Sequence, residues 1–131
     1  IFMNKILVEV SVGELLDKIS ILEIKKEKIK DLGKLKFIND EHAILKAQLD
    51  HNVKSDDKLN KLFQSLKEIN AKLWVIEDDK RLCEKNSDFT KDFIKLSRDV
   101  HFLNDDRAKI KLEINHHTGS KIKEIKEYTS Y

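Results

Sequence analysis

The chain contains no proline, only three glycines and a single cysteine in 131 residues. Each shortage excludes something. Without proline and nearly without glycine, there is little of the punctuation that many short strands need, so helices are expected. Cys83 stands alone and can form no intramolecular disulfide, so nothing points to an oxidising compartment. Collagen-like, proline-rich and disulfide-framework classes fall away. Long apolar runs are also missing. The longest, Ile6 to Val10, is broken by Glu9; it is too short for a membrane span or a signal-peptide core. Ile1 and Phe2 precede Met3, the expected native start. These absences describe one soluble cytoplasmic domain over residues 1–131, with no membrane partner.

What the chain has in quantity is charge. Charged residues make up 38 %, with 26 basic against 24 acidic side chains, and hydrophobic residues make up 40 %. That combination argues against disorder. The signs are interleaved, which argues against nucleic acid, because that binding depends on clustered positive charge. The one local excess is six lysines between Lys25 and Lys36, against Glu27 and Asp31. It reads as a solvated helix face or as a dock for an acidic partner.

The pattern predicts a mainly α fold: an antiparallel helical bundle built on a long helical hairpin. Asn4 to Val10 is rich in branched residues and reads as a short strand. Ser11 to Glu14 fits a capping box, opening a first helix of about 12–32 that stops at Gly33. A second helix covers about 35–49. Ser55, Asp56 and Asp57 mark the next N-terminus. From Leu59, steps of three and four give Leu62, Leu66, Ile69, Leu73, Ile76, Lys80 and Cys83, a coiled-coil-like seam over about 57–85. Cys83 lies on it and reads as core rather than as a nucleophile.

Asn86-Ser87-Asp88 breaks the chain, and a fourth helix over about 89–117 repeats the pattern through Phe89, Phe93, Leu96, Val100, Leu103, Arg107, Ile110 and Ile114. Gly119 ends it. The two long helices would each span about 43 Å and fold back on one another, with the shorter pair along them. The termini then meet, and a small β-pair between them is expected. So apolar a hairpin also invites a homodimer.

Arg107 breaks the fourth seam. A charge there needs an acidic partner or a wet cavity. Laying the fourth helix straight along the first, with Gly119 beside residues 10–11, sets Arg107 level with Ile21 to Glu23. Lys111 then faces Asp17 and Lys18, and Asn115 faces Glu14. The expected polar cluster is Glu14, Asp17, Lys18, Glu23, Asn104, Arg107, Lys111 and Asn115. It is either an ion-pair network fixing helix register or a pocket where Arg107 and Lys111 hold a carboxylate or phosphate. A second group is Trp74, Glu77, Asp78, Arg81 and Glu84. Glu77–Arg81 and Arg81–Glu84 are spaced as i,i+4 and i,i+3 pairs, and Trp74 reads as core against the second helix or as an interface anchor.

Metal and nucleophile patterns fail. The five histidines contain no HExxH, and Glu113-x-x-His116 is half of a di-iron motif with no second copy. Three scattered glycines make no phosphate loop. Acidic runs such as Glu77-Asp78-Asp79 and Asp105-Asp106 lack a convincing facing pair for magnesium. No metal or cofactor is expected.

Three blocks carry a resemblance: Ser11-Val-Gly-Glu-Leu-Leu-Asp-Lys-Ile-Ser-Ile-Leu-Glu-Ile-Lys25, Leu73-Trp-Val-Ile-Glu-Asp-Asp-Lys-Arg-Leu-Cys-Glu84, and Asn104-Asp-Asp-Arg-Ala-Lys-Ile-Lys-Leu-Glu-Ile-Asn115 with the following Gly119-Ser120 and Lys-Glu-Tyr128 tail. Together they resemble an uncharacterised bacterial family, one of the domains of unknown function. The resemblance implies a small single-domain protein and transfers no reaction. Two functions are in view: a binding module for a protein or an anionic small molecule, or an all-α enzyme on a phosphorylated or carboxylated metabolite. In the enzyme, Glu14 or Glu23 would be the acid or base.

Overall fold

The computed structural model describes residues 4–131, so the expected start at Met3 lies outside the described residues. Four helices follow in order: α1 (Val12–Lys28), α2 (Leu32–Asn52), α3 (Asp57–Lys85) and α4 (Lys91–Thr118). The all-α class is as the sequence predicts.

Local chemistry sets the boundaries. Ser11 caps α1, its Oγ accepting from the Glu14 amide at 3.0 Å. The box stays half-closed, because the Glu14 carboxylate turns instead to Lys111 on α4. The first helix ends at Lys28, short of the expected 32, and Gly33 lies inside α2. The cause is Asp31. Its carboxylate caps α2 by accepting from the Lys34 amide at 2.9 Å, and a capping residue must leave helical backbone. A good N-cap thus outcompetes a glycine two residues later.

Asp56 caps α3 in the same way through the Leu59 amide at 2.7 Å. The turn between α3 and α4 carries Ser87 at φ 52°. Asp88 then accepts from both the amide and the hydroxyl of Thr90, so α4 opens at Lys91 and leaves Phe89 outside it. Gly119 ends α4 in the left-handed conformation, φ 66°, as the sequence predicts.

The hairpin of α3 and α4 is present. α1 packs against both of its helices, whereas α2 packs against α1 alone. Only one of the shorter helices lies along the hairpin; α2, expected beside it, packs on α1 instead. The core lies where α1 meets the start of α3 and the end of α4. Leu16, Leu59, Leu66 and Ile114 form its centre, with Val12, Phe63 and Ile110 against them.

The expected β-pair is absent among the described residues. Residues 4–10 form no strand and are exposed, and no strand follows Gly119. The two ends of the chain do meet, but through side chains. The Val12 amide donates to Ser120 Oγ at 3.1 Å, and Ser11 Oγ donates to the Glu124 carboxylate at 2.7 Å.

At 1.5 Å per residue, α1 is about 25 Å long and α3 about 43 Å. α1 therefore covers only the inner part of the hairpin. From residue 71 to residue 113 no residue is buried. Cys83 is half-buried in this outer stretch rather than in the core, because no third helix reaches it. Its environment, through partial desolvation and the nearby Asp88, Asp92 and Asp79, pushes the thiol pKa up, away from a reactive thiolate.

α1 and α4 approach most closely at Gly13. A Cβ there would stand 2.6 Å from the Lys111 carbonyl oxygen and 2.9 Å from Asn115 Oδ1. Gly13→Ala is expected to lower unfolding free energy by about 2 kcal/mol through overpacking. Gly33→Ala, in α2 with only the Asp31 carboxylate nearby, should be neutral or stabilising by up to about 1 kcal/mol. Urea unfolding of the two variants reads the contrast, and equal effects would refute it.

Candidate functional site

The polar cluster is organised by Asp17. It lies on the buried face of α1 at 1 % exposure. Arg107 of α4 reaches it with both faces of its fork: Nε donates to Oδ1 at 3.0 Å, and Nη2 donates to Oδ2. Asn70 of α3 donates from Nδ2 to Asp17 Oδ1 at 2.8 Å and to Ser20 Oγ at 2.8 Å. Ser20 passes its own proton back to the Asp17 carbonyl at 2.8 Å. One carboxylate thus ties three helices together.

Burial pushes the Asp17 pKa up, but the hydrogen bonds from Arg107 and Asn70, with the charges of Arg107 and Lys111, outweigh it. The carboxyl titrates below its ordinary range. The hydrogen bond to Asp17 likewise raises the Arg107 pKa against the opposing effect of its own burial.

Two further layers extend toward the end of the bundle where the termini meet. Lys111 donates to Glu14 at 2.6 Å and stands 3.7 Å from Asp17 Oδ2. Beyond it, Asn115 is 1 % exposed and accepts from the Gly13 amide at 2.7 Å. Glu124 accepts from Ser11 there, and its carboxyl is lowered by that bond and by Asn115 and Lys111, against the cost of burial. Among the described residues every buried side-chain nitrogen and oxygen has a hydrogen-bond partner.

Six of the expected cluster residues therefore lie together: Glu14, Asp17, Asn104, Arg107, Lys111 and Asn115. Asn104 is marginal, its Oδ1 3.5 Å from Arg107 Nη1. Lys18 is peripheral, half-exposed and 4.0 Å from Glu14. Glu23 is elsewhere, facing His42 and Lys67 at 3.4 Å each. The straight-helix register holds to within a residue at Asn115, which meets Gly13, and is off by about a turn at Arg107, which reaches Asp17 rather than residues 21–23. Asn70, Ser20, Ser11, Ser120 and Glu124 were not anticipated.

The second group has a different setting. Trp74 cannot pack on α2, which touches only α1. It is half-buried on the outer hairpin, and Glu77, Asp78, Arg81 and Glu84 are exposed beside it. None of these five side chains makes a hydrogen bond or ion pair among the described residues. The expected Glu77–Arg81 and Arg81–Glu84 pairs are not formed.

Near this group, where α1 ends, an open groove of about 670 Å³ runs between Lys28, Ala71, Val75, Ile76, Phe102 and Leu103. A smaller hollow of about 200 Å³ lies between α1, α2 and α3 around Leu16, Leu49 and Phe63. Neither opens onto Arg107. Among the described residues no three His, Cys, Asp or Glu side chains stand close enough to hold a metal ion. No helix there is long and apolar enough to cross a membrane.

Fold and site define an all-α protein with a buried polar seam and an uncovered hairpin. The chain belongs to a family of unknown function, DUF6165, whose model matches residues 6–131. No curated protein and no solved structure matches it.

The Asp17 carboxyl has a lower pKa folded than unfolded, where it is about 3.9. Its contribution to stability is therefore complete above that value and lost as pH falls through the lowered one. Asp17→Asn is expected to be less stable than the parent at pH 7, with the gap narrowing below about pH 4. Thermal melts across pH measure it, and a gap that widens in acid would contradict the pairing.

Proposed function

We propose that the chain is a binding module for protein and that the outer hairpin is its working surface. The closed state of the polar cluster supports this reading most strongly. An anion clamp needs Arg107 and Lys111 with positive charge left unmatched for a ligand. Here Asp17 takes Arg107 at both oxygens, and Glu14 takes Lys111. The network has the character of a register-fixing strut. Glu14 lines neither the groove nor the hollow, and Glu23 borders the hollow but pairs with His42 and Lys67 rather than with Arg107 and Lys111.

The outer hairpin has the opposite character. Val75, Leu82, Phe89, Ile94 and Phe102 are exposed there, with the only tryptophan among them. Aromatic and arginine side chains on an uncovered apolar face are the usual anchors of protein interfaces.

A thermal-shift panel of phosphorylated and carboxylated metabolites separates the two functions. The expected result is no stabilisation by any compound. Stabilisation that disappears in Lys111→Met would instead establish an anion site in the cluster and make the enzyme reading the stronger one.

A further inference from the structure

The outer half of the hairpin is an apolar face that begins where α1 stops. Lys28, the last residue of α1, lines the groove together with Ala71, Val75, Ile76, Phe102 and Leu103. On the inner half, α1 lies against both hairpin helices. Beyond Lys28 no helix among the described residues takes its place, although the apolar seams of α3 and α4 continue to the turn; only the C-terminal Tyr131 ring stands there, edge-on to Phe102 at 5.5 Å. Two helices alone cannot bury their facing stripes, and a third or fourth is needed to complete such a bundle.

The exposed area is too large for a compact monomer. The chain exposes 10007 Å², against about 7,200 Å² for a folded monomer of 15.4 kDa. Exposed large apolar side chains lie on the terminal segments, on α2 (Leu32, Phe37, Ile44) and on the outer hairpin (Val75, Leu82, Ile94, Phe102). The surplus as a whole exceeds the roughly 800 Å² per partner of a standard interface. The outer hairpin as a whole is also electrically neutral. Between residues 71 and 104 seven basic side chains stand against seven acidic ones, and Lys95–Asp99 is the single ion pair among them. A highly charged partner gains little from such a face, whereas an identical face meets no net repulsion.

We infer that the occupant is a second copy of this chain, its outer hairpin lying on the groove face and taking the place of the missing continuation of α1. This deepens the binding-module reading and rests on it. Steric exclusion fixes the arrangement. Each α1 blocks the inner half of its own hairpin, so the copies overlap only over their outer halves, about 22 Å of helix over residues 71–85 of α3. The two hairpin tips then point in opposite directions, and four helices close around Val75, Ile76, Phe102 and Leu103 of both copies. Such an interface is isologous and closed, which limits assembly to a dimer.

Sedimentation of the full chain over a concentration series tests this. The expected result is a dimer for the parent and a monomer for Val75→Glu/Phe102→Glu, with an unchanged helical circular-dichroism spectrum. Ile44→Glu, on α2 and more exposed than Val75, should still dimerise. Should the double variant fail to fold, Phe102→Ser should raise the dimer dissociation constant by at least about tenfold. Trp74, the only tryptophan, reports in parallel: its emission should move to the blue as the dimer forms. A parent that stays monomeric overturns the inference, as does a dimer indifferent to Val75 and Phe102. Neither outcome touches the binding-module reading, which fails only if a metabolite binds at the Arg107 cluster.

Discussion

One buried carboxylate holds this molecule in register. Asp17 accepts from Arg107 on α4 and from Asn70 on α3 while lying on α1 itself, so three helices share a single anchor. Taking a charge out of water is costly, and a buried pair is weak evidence of net stability. Its value is directional. A leucine seam tolerates sliding by a turn, whereas a bidentate guanidinium–carboxylate contact does not. Arginine suits the place better than lysine, because its planar fork satisfies both carboxylate oxygens while part of it still reaches solvent.

The rest of the inner bundle follows from that anchor. Once Asp17 faces Arg107, Lys111 falls to Glu14, and Gly13 meets the α4 backbone where only a hydrogen fits. Asn115 and Ser120 then take the first amides of α1, and Ser11 joins Glu124. The start of α1 and the segment after α4 are thereby sewn together without a sheet. The same geometry leaves α1 ending at Lys28, well short of the hairpin tip. Structural strut and uncovered apolar face thus come from one cause, a central helix shorter than the pair it braces.

The hairpin was legible in the sequence because apolar residues hold seven of the eight regularly spaced seam positions in each arm, and because Asp56 and Gly119 sit where caps belong. Arg107 was legible as the break in that spacing. Its partner was not. A straight-helix register points to residues 21–23, about a turn beyond Asp17, the carboxylate that Arg107 meets. Asn70 was invisible for a different reason: a polar residue beside Ile69 on a helix reads as solvent-facing until a buried acceptor is known. Periodicity also says that a face is apolar without saying what covers it. Cys83 and Trp74 were assigned to a core on that ground, and α1 and α2 do not reach them. Asp31 was read as charge in a lysine-rich run, though it is the residue that ends α1 and opens α2.

The account depends on Asp17 and Arg107 acting as a coupled pair within the folded chain. A double-mutant cycle with Asp17→Asn, Arg107→Met and their combination, followed by urea unfolding at pH 7, tests that most directly. A coupling energy of about 2–3 kcal/mol is expected, with Arg107→Met alone strongly destabilising because it strands a buried carboxylate. A coupling near zero, or an Arg107→Met variant as stable as the parent, would contradict it.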